Sequence, residues 1–139
     1  GFSLAAAMAA KLAYPERQCV HITGDAGVGY MLGNLEMLVR HKIGVTTVHL
    51  NNGGFAGYGP GFWGDGHDRY TWELTDHAAC DVSRAAAALG YHAEDVARPD
   101  DIIPALERCL EQNAQGRPAY LEVLCEKYPV WGQWLQQES

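Results

Sequence analysis

A carboxylate and a carboxamide, each set among glycines, are the side chains of this sequence best suited to chemistry. Gly24-Asp25-Ala26-Gly27 closes one apolar, strand-like stretch and Asn51-Asn52-Gly53-Gly54 closes another, with a helical segment between them. Asp25 and Asn52 offer two hard oxygen ligands, and Gly27, Gly29, Gly53 and Gly54 leave backbone N–H groups open beside them. Such a set suits a divalent cation that holds a phosphorylated cofactor. Taken singly, Asp25 suits a helix cap and the asparagines a turn. Two such groups at successive strand ends favour a binding site.

Charge sharpens this. Between Gly24 and Phe55 the cationic side chains are Arg40 and Lys42, both at the far end of the helix. The phosphate-cradling pattern G-x-x-x-x-G-K-[ST] does not occur there. A diphosphate would meet the Asp25 carboxylate with no compensating cation. A Mg²⁺ ion on Asp25 and Asn52 removes that conflict, while backbone N–H groups near Gly27 and Phe55 take the outer oxygens. The run Gly27-Val28-Gly29-Tyr30-Met31-Leu32-Gly33 offers a rival, a dinucleotide-type glycine spacing after a strand. Against it, the next strand ends at Asn51-Asn52, with no acidic residue to hold a ribose.

The elements that must position these groups alternate. A helix of about Leu4 to Ala13 carries six small side chains that allow close approach to a sheet, and Ser3 is a suitable N-cap for it. Tyr14-Pro15 ends it, since the residue before proline is driven from the helical region. Cys19 to Thr23 reads as a buried strand and Gly33 to His41 as a helix whose apolar face is Leu35, Leu38 and Val39. Gly44 breaks that helix before the strand Val45 to Leu50. Later come a helix (Val82 to Leu89), a strand (His92 to Val96), a helix from Asp100 or Asp101, and a strand (Tyr120 to Cys125). Ile102, Ile103, Leu106, Cys109 and Leu110 form the expected inner face of the long helix, with Pro104 tolerable only in its first turn. This order predicts a doubly wound α/β domain, with a largely parallel sheet and helices on both faces.

With 139 residues, 47% of them hydrophobic, the chain supports one domain with a real core. Its net charge of −7 argues against general affinity for nucleic acid or anionic membrane. The scattered cysteines Cys19, Cys80, Cys109 and Cys125 form no C-x-x-C pair, so buried reduced thiols in a cytoplasmic protein are expected rather than zinc or disulfides. No signal peptide is recognisable, and the start at Gly1-Phe2-Ser3 reads as a domain truncated at its N-terminus. Residues 1–127 make up the expected domain and 128–139 an aromatic tail.

The motif Gly24-Asp25-Ala26 followed by Asn51-Asn52 resembles the G-D-G…N-N signature of thiamine diphosphate-dependent enzymes. Its flanks agree: Ala9-Ala10-Lys11-Leu12-Ala13-Tyr14-Pro15 before it, and Leu35-Glu36-Met37-Leu38-Val39-Arg40 within it. Leu89-Gly90-Tyr91 and Pro99-Asp100-Asp101 are also similar, so the likeness runs from Gly1 to about Glu126. It points to the diphosphate-binding domain of the acetolactate synthase and 2-oxo acid decarboxylase branch.

The resemblance implies thiamine diphosphate and Mg²⁺ as cofactors, with Asp25, Asn52 and the Gly54 carbonyl as metal ligands. It implies cofactor contacts from Gly24, Asp25, Ala26, Gly27, Asn52, Gly54, Phe55 and Ala56. Ala26 replaces the usual third glycine, which is harmless at negative φ and strained at positive φ. The glutamate that activates the cofactor belongs to another domain of a neighbouring subunit, and the residue that bends the cofactor lies before Gly1. No catalytic residue is therefore assigned here, Glu36 is given a loop-supporting role, and the chain alone is expected to be inactive.

Carboligation of a 2-oxo acid is the expected reaction, in a homodimer or homotetramer. Simple decarboxylation, a 2-hydroxyacyl-CoA lyase or oxalyl-CoA decarboxylase type, and a non-catalytic remnant subunit are the alternatives. FAD is compatible with the full-length enzyme, its site lying in a middle domain. The aromatic, glycine-rich run Phe55 to Gly64 suits either a wall that excludes water from the reactive carbon or a subunit contact. Asp65, His67, Asp68 and His77 read as solvated loop residues, Tyr128, Trp131 and Trp134 as interface anchors or a flap, and Cys80, Cys109 and Cys125 as core or near-core thiols.

Overall fold

Strand and helix alternate along the chain as the apolar periodicity requires. A computed structural model describes residues 1–53 and 80–125. Helix α1 (Phe2–Ala13) leads to strand β1 (Val20–Gly24), helix α2 (Asp25–Met31), a 3₁₀ turn (Leu32–Asn34) and helix α3 (Leu35–Arg40). Then come β2 (Thr46–Asn51), α4 (Val82–Leu89), β3 (His92–Val96), α5 (Pro99–Ala114) and β4 (Ala119–Leu124). The four strands lie in the order β1-β2-β4-β3, every neighbouring pair parallel.

Each face of the sheet carries its own core. Leu4, Val28, Met31, Leu35, Leu38, Ala86, Tyr91 and Tyr120 cluster on the face packed by α1 to α4. Ala105 and Cys109 of α5 pack on Ala119, Leu121 and Val123 on the other. Strand β4, covered on both sides, is buried from Ala119 to Val123. This is the expected doubly wound arrangement, with helices on both faces.

Several local expectations are corrected. The first helix begins at Phe2 with Gly1 at its cap, and the Ser3 hydroxyl turns instead to His21 Nε2 at 2.8 Å. Helix α3 matches the helix expected from Gly33 to His41, but an additional helix, α2, starts directly after β1 at Asp25. Gly24, extended at φ −108° and ψ −177°, makes the whole turn by itself, so glycines that read as a loop lie inside helix. Strand β1 is not uniformly buried: His21 and Thr23 face inward, while Val20 and Ile22 are exposed. The cause is that α5 packs on β3 and β4 and leaves this half of its face open.

Pro104 lies within α5, beyond its first turn. The buried face of that helix is Ala105, Cys109 and Asn113; Ile102, Leu106 and Leu110 are half-buried and Ile103 is 61% exposed. Cys109 is buried as expected, but Cys80 and Cys125 are exposed, because both sit at the rim where strand ends open outward. No helix among the described residues is long and apolar enough to cross a membrane.

Candidate functional site

Side chains alternate across a strand, so β2 sends Thr47, His49 and Asn51 to the same face. The register sets Thr23 of β1 and Glu122 of β4 on either side of His49. Near the carboxyl ends of the strands, where open α/β sheets bind ligands, that face is therefore polar yet buried. Asp25 is the first residue beyond β1, and the Asn52 N–H donates to its Oδ2 at 3.1 Å. The structure thus brings together the two strand tips that carry the expected metal ligands.

Ala26 and Gly27 follow in the first turn of α2. Ala26 has negative φ, so the alanine in place of glycine carries no backbone strain. A Cβ on Gly27 would stand 2.2 Å from Thr23 Oγ1, which explains glycine there through helix–strand packing. Since Gly27, Gly29 and Gly33 all fall after the helix has begun, they do not form the strand-to-helix turn that a dinucleotide fingerprint needs. Glu36 pairs with Arg40 at 3.0 Å on the exposed side of α3 and lies outside this cluster. Gly54, Phe55 and Ala56 lie outside the described residues, as do Asp65, His67, Asp68, His77, the aromatic run after Phe55, and Tyr128, Trp131 and Trp134.

Residues not singled out by sequence reasoning complete the site. His49 is 1% exposed, its Nε2 lying 3.3 Å from Asp25 Oδ1 and its Nδ1 3.0 Å from the Tyr120 hydroxyl. Burial holds its pKa below the usual histidine value, although Asp25 and Glu122 pull it the other way. Burial likewise raises the Tyr120 phenol, which keeps its proton. Despite its closeness to Asp25, Nε2 is off the line of a hydrogen bond and has no other partner among the described residues. A buried polar atom left this way costs about 1–3 kcal/mol.

Glu122, 2% exposed, accepts from Asn51 Nδ2 at 2.5 Å and from the Ser83 backbone N–H at 2.7 Å. Asn51 also accepts from the Gly53 N–H at 3.0 Å. The available signal was the alternation of β2, which puts Thr47 and His49 on the same face as Asn51, four and two residues before it.

A second cluster, His92, Glu94 and Cys109, brings three potential ligand atoms within 4.8 Å of one another. Arg108 occupies both Glu94 oxygens, at 2.6 to 3.1 Å, and burial pushes the Cys109 thiol up to about 12. This is a structural ion pair beside a protonated thiol.

A parallel sheet with a carboxylate and a carboxamide at adjacent strand tips is the arrangement of an α/β domain able to bind a cofactor. The chain belongs to the thiamine pyrophosphate enzymes: residues 1–123 match the model of the thiamine pyrophosphate enzyme C-terminal TPP binding domain. It is 35% identical over 126 residues to the acetolactate synthase large subunit of Mycobacterium tuberculosis, covering 86% of this chain and 21% of that protein. Identity to the 2-hydroxyacyl-CoA lyase of Arabidopsis thaliana is 28% over 131 residues, covering 92% and 22%. A solved thiamine diphosphate-dependent 4-hydroxybenzoylformate decarboxylase of Rhodococcus jostii superposes with a TM-score of 0.72 at 25% identity, over 91% of this chain and 23% of that one. The chain spans about a fifth of the length of these relatives.

Proposed function

We propose that this chain is the diphosphate-side domain of an acetolactate synthase-like enzyme that decarboxylates or carboligates 2-oxo acids. Asp25, Asn52 and the Gly54 carbonyl hold a Mg²⁺ ion, and Gly24, Ala26, Gly27, Phe55 and Ala56 contact the cofactor's tail. The observation that carries this reading is the Asn52 N–H bond to Asp25, which joins two ligand-bearing strand tips. The donor chemistry fits: a carboxylate, a carboxamide and a carbonyl are all hard oxygens.

When bound, thiamine diphosphate supplies a nucleophilic carbon and an electron sink. The residues of this chain bind and orient. Asp25 neutralises part of the ion's charge, Asn52 adds a neutral ligand, and the Gly24 turn allows both to meet the same ion. Supply of the activating glutamate by another domain of a neighbouring subunit makes the working form a homo-oligomer of the longer protein, cytoplasmic in its setting. The 2-hydroxyacyl-CoA lyase relatives favour a second reading with an acyl-CoA substrate.

Calorimetric titration of thiamine diphosphate into the protein tests the site. Binding is expected with Mg²⁺, and at least about tenfold weaker without it or in Asp25→Ala. Binding indifferent to both changes would refute the assignment. Assays of the full-length enzyme with pyruvate and with a 2-hydroxyacyl-CoA separate the two substrate readings.

A further inference from the structure

We infer that His49 is a positioning residue for Asp25, setting its Nε2–H beside the carboxylate that holds the cation. The inference rests on the reading of Asp25 as a metal ligand and adds the residue that orients it. His49 lies two residues inside the tip of β2 and is 1% exposed, so solvent does not serve its ring nitrogens. Its Nδ1 faces the Tyr120 hydroxyl at 3.0 Å, with Glu122 Oε1 at 3.7 Å behind. Tyr91, the other buried phenol among the described residues, donates to the Leu35 carbonyl at 2.9 Å and does not compete.

A hydroxyl donating to Nδ1 leaves the ring proton on Nε2. The reverse tautomer would turn a lone pair toward Asp25 Oδ1 at 3.3 Å, which is repulsive. Nε2 has no aligned acceptor among the described residues, and Asp25 Oδ1 lies 3.3 Å from it. The Asn52 N–H holds Oδ2 of the same carboxylate at 3.1 Å. His49 and Asn52 therefore address the two oxygens separately and set the plane of the group.

Glu122 is the anchor on the far side. Asn51 and the Ser83 N–H fix both of its oxygens, so it stays in place beside Nδ1. A histidine held by a second partner and directed at a ligand group is the usual way a protein orients a metal site, and loss of such a partner weakens metal affinity about 10–100-fold.

The test is Mn²⁺ binding in the presence of thiamine diphosphate, followed by the electron paramagnetic resonance of free Mn²⁺, with thermal melting as the check on folding. His49→Phe keeps the bulk but removes the donor and is expected to weaken Mn²⁺ about 10–100-fold. His49→Gln places an amide N–H near the Nε2 position and is expected to stay within about threefold of the natural protein. An unchanged affinity in His49→Phe overturns the inference, as does an equal loss in both variants.

If His49→Phe does not fold, Tyr120→Phe replaces it, removing only the hydroxyl that selects the tautomer. A loss of about tenfold is then expected, and no loss overturns the inference. Asp25→Ala distinguishes the two levels. If it leaves Mn²⁺ affinity intact, the metal-site reading fails; if it abolishes binding while His49→Phe does not weaken it, only the role of His49 fails.

Discussion

Asn51 and Asn52 stand side by side and do different work, because successive side chains of a strand leave on opposite faces. Asn51 is 3% exposed and its amide is spent on Glu122 and the Cys80 carbonyl, whereas Asn52 is half-buried at the tip. Asn51→Ala removes a donor from a buried carboxylate and is expected to cost about 1–3 kcal/mol in urea unfolding. Asn52→Ala is expected to cost less than about 1 kcal/mol and to lower Mg²⁺-dependent cofactor affinity instead. Equal effects of both variants on both measurements would refute this division. Glu94 supplies a pH-dependent contribution away from the site. Its bonds from Arg108 hold its carboxyl below the usual 4.5, so the unfolded chain binds the proton more readily. The stabilisation is complete above 4.5 and is lost as pH falls through the lowered folded value. The stability gap between the natural protein and Glu94→Gln is expected to narrow as urea unfolding is repeated below pH 4.5; a constant gap contradicts the assignment.

Among the elements, the approach to β2 is the tightest junction. A Cβ on Gly44 would lie 2.4 Å from the Asn113 carbonyl oxygen, with two more backbone atoms of Asn113 at 3.1 Å. Backbone cannot rotate away as a side chain can, so Gly44→Ala is expected to destabilise by about 1–3 kcal/mol, read as a lower urea midpoint. Unchanged stability would mean that the end of α5 can move off the sheet. Sequence signals were most legible where they were redundant. Helix α4 carries Asp81 as a cap accepting from the Arg84 N–H at 2.9 Å, and Gly90 at φ +111° as its stop, and it spans Val82–Leu89 as expected. Helix α2 was not legible, since Gly27 and Gly29 argue against helix by propensity while tight packing on β1 requires small residues there. The inner face of α5 was misjudged for a related reason: Ile103 is apolar by type, but Ala105 and Asn113 point at the sheet.

At the scale of the molecule, the described helices cover the two sheet faces unequally. Helices α1 to α4 pack on one face, while on the other α5 packs mainly on β3 and β4. Val20, Ile22 and Leu50 consequently stand 43%, 64% and 43% exposed on neighbouring, in-register strands. Helix α1, apolar nearly all round, also leaves Phe2 and Leu12 exposed. Exposed apolar side chains beside a strand edge promote association. The protein is expected to self-associate with rising concentration in sedimentation velocity, and Ile22→Lys to shift it toward monomer. Monomer at all concentrations would show that this surface does not drive association.

By itself the amino-acid order determined the alternation of strands and helices, the parallel sheet, and the pairing of Asp25 with Asn52, because these follow from local periodicity and a motif of short span. It did not disclose His49 as a neighbour of Asp25, or Glu122 as a neighbour of His49 and Asn51. Their partners lie as far as 71 positions apart and meet only when β4 slots between β2 and β3. Strand order and register are properties of the assembled sheet, and they decide which side chain faces which. The tertiary structure alone therefore placed a histidine from the middle of a strand beside Asp25.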